Sequence, residues 1–134
     1  MQIEERLSEL SELERGYLAG LLDCAGSFQI RSHKVKGKKY YVPRIVIKRY
    51  SGAWEEFIES LGFGRFYYKQ DKCQHQTAWY MYRSKEIAVL LEFITPHLRI
   101  RKERALVILN WLNEGTSKAP PLDYAVLQRR RSLL

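Results

Sequence analysis

The stretch Gly16–Ile30, reading GYLAGLLDCAGSFQI, constrains this chain more than any other. Its front half is helical in composition, yet it carries Gly16, Ala19 and Gly20 at close spacing. Small residues one turn apart let a second backbone approach closely. Gly20 costs a helix interior about 1 kcal/mol against alanine. A tight helix–helix contact is the simplest compensation. The back half, Asp23-Cys24-Ala25-Gly26-Ser27, ends the helix and runs into an alternating strand. An acid at such a junction is a candidate metal ligand. On spacing alone an ordinary amphipathic helix with a glycine cap fits equally well.

Charge narrows the partners. The chain has 134 residues and a net charge of +8. Residues 1–23 hold six acids and two bases, which leaves 21 bases and 9 acids, a net of +12, in residues 24–134. A body that basic suits a polyanion, most often nucleic acid. No apolar run approaches the ~20 residues of a membrane span. The acidic start is unlike a secretion signal, so an intracellular location, cytoplasm or organelle, is expected. Cys24 and Cys73 make neither a disulfide framework nor a zinc site.

Apolar periodicity orders the elements. Residues 2–24 read as helix, with Ser11 and Glu14 spaced as a capping box that would start a second segment. Residues 27–36 alternate, with Phe28 and Ile30 opposite Gln29, Arg31 and His33. Residues 39–50 form a second strand, with Pro43 at an edge or bulge and Arg44, Val46 and Lys48 on the polar face. Residues 51–61 form a helix capped by Ser51, and residues 64–72 and 77–83 are strands around a polar turn at 71–76. Ser84 caps a helix that Pro96 ends, and residues 99–114 form the next helix. A linker at 115–121 leads to a basic helix at about 120–134, which closes on Arg129–Arg131. One antiparallel sheet would then present Gln29, Arg31, His33, Arg44, Lys48, Arg65, Tyr67, Lys69, Tyr80 and Tyr82 on one face. Exposed aromatics among basic side chains suit DNA, where Arg can read guanine and Gln adenine.

These residues carry a resemblance. Leu18–Gly26, LAGLLDCAG, resembles the signature of the LAGLIDADG homing endonucleases, and the order helix–strand–strand–helix–strand–strand–helix resembles their domain over residues 12–114. Trp79 and the segment Pro96-His97-Leu98-Arg99-Ile100-Arg101-Lys102 add to the likeness. It implies an α+β fold, αββαββα, with a four-stranded antiparallel saddle sheet and helices on one face, in a single domain over residues 1–134. It implies Mg²⁺-dependent hydrolysis of both strands of double-stranded DNA. A chain with one motif would form a homodimer, favour a near-palindromic target and be intron-encoded. Gly16, Ala19, Gly20 and Asp23 then fall to the dimer interface, and the Cys24 carbonyl to the metal. Arg101 and Lys48 fall near the reacting phosphate.

The motif's eighth place belongs to the metal-binding catalytic acid, and here it is Ala25. A methyl group cannot ligate Mg²⁺. The expectation is a chain that binds duplex DNA without cutting it, either an engineered acid-to-alanine variant or a natural relative that lost cleavage. A DNA-binding regulator and an intron RNA maturase are the alternatives on the same fold.

Overall fold

The computed structural model describes residues 2–71, 74–115 and 119–120, with the side chains of residues 69–71 and 74 left aside. The basic helix expected at about 120–134 lies outside the described residues from residue 121 on, as does Cys73.

The N-terminal helical stretch divides. Helix α1 spans Ile3–Ser8 and α2 spans Glu12–Ala25. The capping box separates them. Glu14 N–H donates to the Ser11 hydroxyl (3.1 Å), and Ser11 N–H donates to the Glu14 carboxylate (3.0 Å). Ser11→Ala should therefore cost about 1 kcal/mol, the usual worth of such a cap. A urea melt reads it directly, and an unchanged midpoint would show that the cap is idle.

The remaining elements are β1 (Gly26–Val35), β2 (Lys38–Tyr50), α3 (Ala53–Leu61), β3 (Arg65–Asp71), β4 (Gln74–Met81), α4 (Ser84–Ile94) and α5 (Lys102–Glu114). All strands pair antiparallel in the order β1-β2-β4-β3. From α2 to α4 this is the expected αββαββα order, with α1 in front of it and α5 behind. Pro43 sits where β2 pairs only with β1, because pairing with β4 begins at Ile45. Its missing N–H therefore interrupts no second ladder.

One core holds the molecule together. Phe28, Ile30, Ile45, Ile47, Trp79 and Met81 from the sheet meet Leu18 and Leu22 of α2, Ile58 of α3, Leu90 and Leu91 of α4 and Ile108 of α5. Ile3 and Leu7 of α1 join the same cluster, so the first helix is part of the domain and not a separate arm. Among the described residues, no helix is long and apolar enough to cross a membrane.

Several local expectations give way to tertiary contacts. Gly52, not Ser51, precedes α3 as its cap, because the Ser51 hydroxyl is bonded to the Thr77 hydroxyl (2.8 Å). Ser84 is the first residue of α4, whose cap is Arg83 with no side-chain capping bond. The polar turn at 71–76 shrinks, since β3 and β4 pair out to Asp71 and Gln74. Helix α5 begins at Lys102, not Arg99, because residues 99–101 are bound to Asp23.

Two glycines are needed for space. A Cβ on Gly26 would lie 2.5 Å from the Leu22 carbonyl oxygen. Gly26 is extended (φ −75°, ψ 146°), so it is no left-handed cap; the helix end simply leaves no room for a side chain. At Gly64 (φ +80°) a Cβ would overlap the Trp79 indole. That indole is fully buried and donates to the Phe63 carbonyl (3.1 Å).

Candidate nucleic-acid interface

The face of the sheet away from the helices is an ordered cationic and aromatic surface. Alternation assigns Gln29, Arg31 and His33 of β1 to it, with Arg44 and Lys48 of β2, Arg65 and Tyr67 of β3, and Tyr80 near the end of β4. Arg44 donates twice to the Gln29 side-chain oxygen (2.6 and 3.0 Å), and Gln29 donates to the Ser27 hydroxyl (2.7 Å). The Arg44 guanidinium lies 5.4 Å from the Tyr80 ring centre, and the Lys48 ammonium 5.9 Å from it. Tyr67 meets Tyr80 edge-on at 5.3 Å, and Tyr82 stacks on Tyr80 at 5.7 Å.

Tyr80 is therefore a platform that orients two cations. Burial, with the Tyr67 hydroxyl beside it, pushes the Tyr82 hydroxyl up, so it stays neutral and adds no negative charge to this face. Arg31, His33, Arg65 and Tyr67 are exposed. Lys69 occupies its place in β3, paired with Gln76 by backbone, and its side chain lies outside the described residues.

Helix α2 presents a second surface. Leu13 (88% exposed), Gly16, Tyr17, Gly20 and Cys24 fall on one stripe open to solvent. A Cβ at Gly16 or Gly20 would meet nothing within 4 Å. Ala19 does not share this stripe. It stands about 100° around the helix from Gly20, is 4% exposed and packs in its own chain's core.

The C-terminal end of α2 gathers the remaining candidates. Asp23 is buried and turns inward, away from the stripe. Its Oδ1 accepts the N–H groups of Ile100 (2.9 Å) and Arg101 (2.8 Å), and its Oδ2 those of Arg99 (3.0 Å) and Ile100 (3.1 Å). Burial pushes the carboxyl up, but these backbone donors and the Arg101 charge outweigh it, so it sits below the ordinary carboxylate value. Asp23 thereby ties α2 to the start of α5 and fixes Arg101.

The Arg101 guanidinium approaches the Cys24 carbonyl to 3.5 Å. Arg49 reaches the same oxygen, also at 3.5 Å, and donates to the Lys48 carbonyl (3.0 Å). Lys48 is not part of this corner, because its side chain stands over Tyr80 on the other face of β2. The basic residue of β2 at the corner is Arg49, which the sequence reading passed over. The available signal was parity, since Arg49 shares the core-facing phase of Ile45 and Ile47 and lies just beyond them.

The divalent cation implied at this corner does not fit the donors present. Mg²⁺ wants carboxylates and retained waters in octahedral geometry. Asp23 spends both oxygens on backbone N–H groups, Ala25 supplies a methyl, and the Cys24 carbonyl faces two guanidinium groups. Among the described residues, no group of three His, Cys, Asp or Glu comes together to hold a metal.

No protein-family model and no curated protein matches the chain in sequence. Solved structures do match in fold. An archaeal intron-encoded homing endonuclease, I-Vdi141I, complexed with DNA, is similar at a TM-score of 0.65 and 20% identity, over 76% of this chain and 68% of its own. The homing endonuclease I-CvuI, in complex with a DNA target that is not cleaved in 2 mM Mg, is similar at 0.61 and 16%, over 76% and 67%. The LAGLIDADG homing endonuclease I-GzeII, in complex with its DNA target, is similar at 0.61 and 22%, over 86% of this chain and 41% of its own.

Proposed function

The chain has the fold of the LAGLIDADG homing endonucleases, and we propose that it is a sequence-specific duplex DNA-binding protein of that kind, which works as a homodimer and does not cleave in its present form. The observation that carries this reading is the sheet face built on Tyr80. Arg44 is held between the Gln29 oxygen, which takes two of its donors, and the Tyr80 ring. A held guanidinium loses little freedom on meeting a guanine edge or a phosphate. The basic body supplies the sequence-independent attraction.

The dimer reading rests on α2. Its open stripe exposes Leu13 and Tyr17 beside two glycines with free space above them. A second copy of the same stripe would cover these apolar side chains and let the two helices approach closely. A twofold assembly would present two sheets to a near-palindromic site. The non-cleaving form follows from Ala25 and from the donor set at the helix end.

In vitro selection of bound duplexes tests the function. Near-palindromic sequences should be enriched, and binding should weaken steeply with salt. Recovery of random sequence at every round would overturn specific recognition. Preferential capture of folded intron RNA over duplex DNA would favour the maturase instead. Sedimentation of the free protein tests the dimer. Sedimentation as a monomer both alone and on the selected duplex would sink it.

A further inference from the structure

A groove opens at the end of the sheet where β3 begins and β4 ends. Its volume is about 1180 Å³, and it is lined by α1, the turn from α3 into β3, the end of β4 and the start of α4. Its floor is apolar, because Ile3, Leu61 and Met81 are buried there and Phe63 is half-buried. Its rim is cationic. Arg6, Arg65, Arg83 and Lys85 line it, with Glu4 and Glu86. Arg83 pairs with Glu86 at 3.5 Å. Arg6, Arg65 and Lys85 have no ion pair or side-chain hydrogen bond among the described residues, which leaves three cations against Glu4. The Arg6 guanidinium lies over Gly62, where a Cβ would stand 3.7 Å from it.

An apolar floor under a cationic rim fits an unpaired strand better than a duplex. A duplex keeps its base faces in its own stack and presents phosphates and groove edges. It would use the rim and leave the floor empty. An unpaired strand offers a flat base face and a phosphate at every nucleotide. Tyr80 and Tyr82 also line the groove, and their rings stack 5.7 Å apart within 3° of parallel. Tyr82 is 42% exposed, so this stack ends on a ring where a base can add to it. The volume exceeds the roughly 300–1,000 Å³ of small-molecule sites, so the groove suits a chain of several units. Arg65 and Tyr80 belong both to the sheet face and to the groove, so a strand parting from a bound duplex would pass from one into the other.

We infer that this groove binds a short unpaired DNA strand that leaves the duplex held on the sheet. Its bases pack on the apolar floor and on Tyr82, and its phosphates meet Arg6, Arg65 and Lys85. The inference rests on the duplex-binding reading of the sheet and adds a second site to it. A target with an unpaired tail is therefore held more tightly than the same target with blunt ends.

The test uses the full chain and the selected duplex, either blunt or carrying about six unpaired thymidines at its outer end, as a 5′ or a 3′ tail. One polarity should tighten binding by about tenfold. Arg6→Gln should remove most of that gain and leave blunt binding unchanged, because Arg6 belongs to α1 and not to the sheet face. Lys85→Gln, an exposed change in α4 that leaves the core intact, should remove part of it. A tail of abasic linkers should lose the gain, because it keeps the phosphates and lacks the rings. No gain in either polarity, a gain that abasic linkers reproduce, or a gain that survives both substitutions in full overturns the groove. So does a polyglutamate peptide of equal charge that abolishes the gain, which would mark the groove as a site for acidic peptides. Absence of any blunt-duplex binding would overturn the reading of the sheet instead. The free thymidine oligonucleotide then decides the groove alone: binding that Arg6→Gln weakens upholds it, and no binding overturns it.

Discussion

Asp23→Ala should lower the stability of the chain by about 3–5 kcal/mol at pH 7. Each hydrogen bond to a charged group is worth about 1.5–3 kcal/mol, and Asp23 accepts from three backbone donors between 2.8 and 3.1 Å. The bonds are not additive, so the sum is capped well below three full contributions. Removing the carboxylate also strands N–H groups in a partly buried turn and leaves the start of α5 without its anion. Against a typical total of 5–15 kcal/mol the loss is large. The sign with pH follows from the depressed carboxyl. Its contribution is fully present above the unfolded value near 3.9. It is lost as pH falls through the lower folded value. Urea melts from pH 7 down to pH 3 should therefore show an acid limb in the unchanged protein that is flatter in Asp23→Ala. A variant within 0.5 kcal/mol of the parent at pH 7 would show that the turn has other support.

The elements were largely legible because helix and strand periods are written in the side chains. Phe28, Ile45, Ile47, Trp79 and Met81 alternate cleanly into one core. The Ser11–Glu14 box is a local pattern and forms locally. Ser51 was misleading because its hydroxyl is claimed by Thr77, 26 residues away, and Thr77 in turn donates to Glu55 at 2.7 Å. No local rule reports such a competitor. Ala19 was assigned by its place in a motif when its angle around α2 decides its neighbours.

The site was legible as a list of residues and less so as an arrangement. Alternation placed Arg44, Lys48 and Tyr80 on one face, but it could not show that Tyr80 is the ring over which both cations rest. Asp23 looked like a ligand because acids at helix ends often are. Its actual partners, residues 99–101, lie 76 to 78 positions away. Arg49 has no place in the motif and none on the polar face of β2. Strand phase alone places it with the core-facing residues, and a charged residue there has to project past the core's edge.

Ala25→Asp, or Ala25→Glu, should convert the chain from a binder to a nuclease on its selected target. The new carboxylate would stand next to Cys24, an exposed residue at the helix end. It would also face Arg49 and Arg101. Their charges would keep it ionised at neutral pH, and would compete with a metal for its oxygens. Metal-assisted hydrolysis supplies several kcal/mol of transition-state stabilisation. Each 1.36 kcal/mol is tenfold in rate, so cleavage of both strands in Mg²⁺ should rise at least about a thousandfold over the unchanged chain. Asp and Glu differ by one methylene in reach, and the better of the two should be the one whose oxygens clear the arginine pair. Binding by the unchanged chain stays independent of Mg²⁺, whereas binding by the active variant in Ca²⁺ should tighten. Failure of both variants to cut a duplex that they still bind would sink the endonuclease ancestry of this chain.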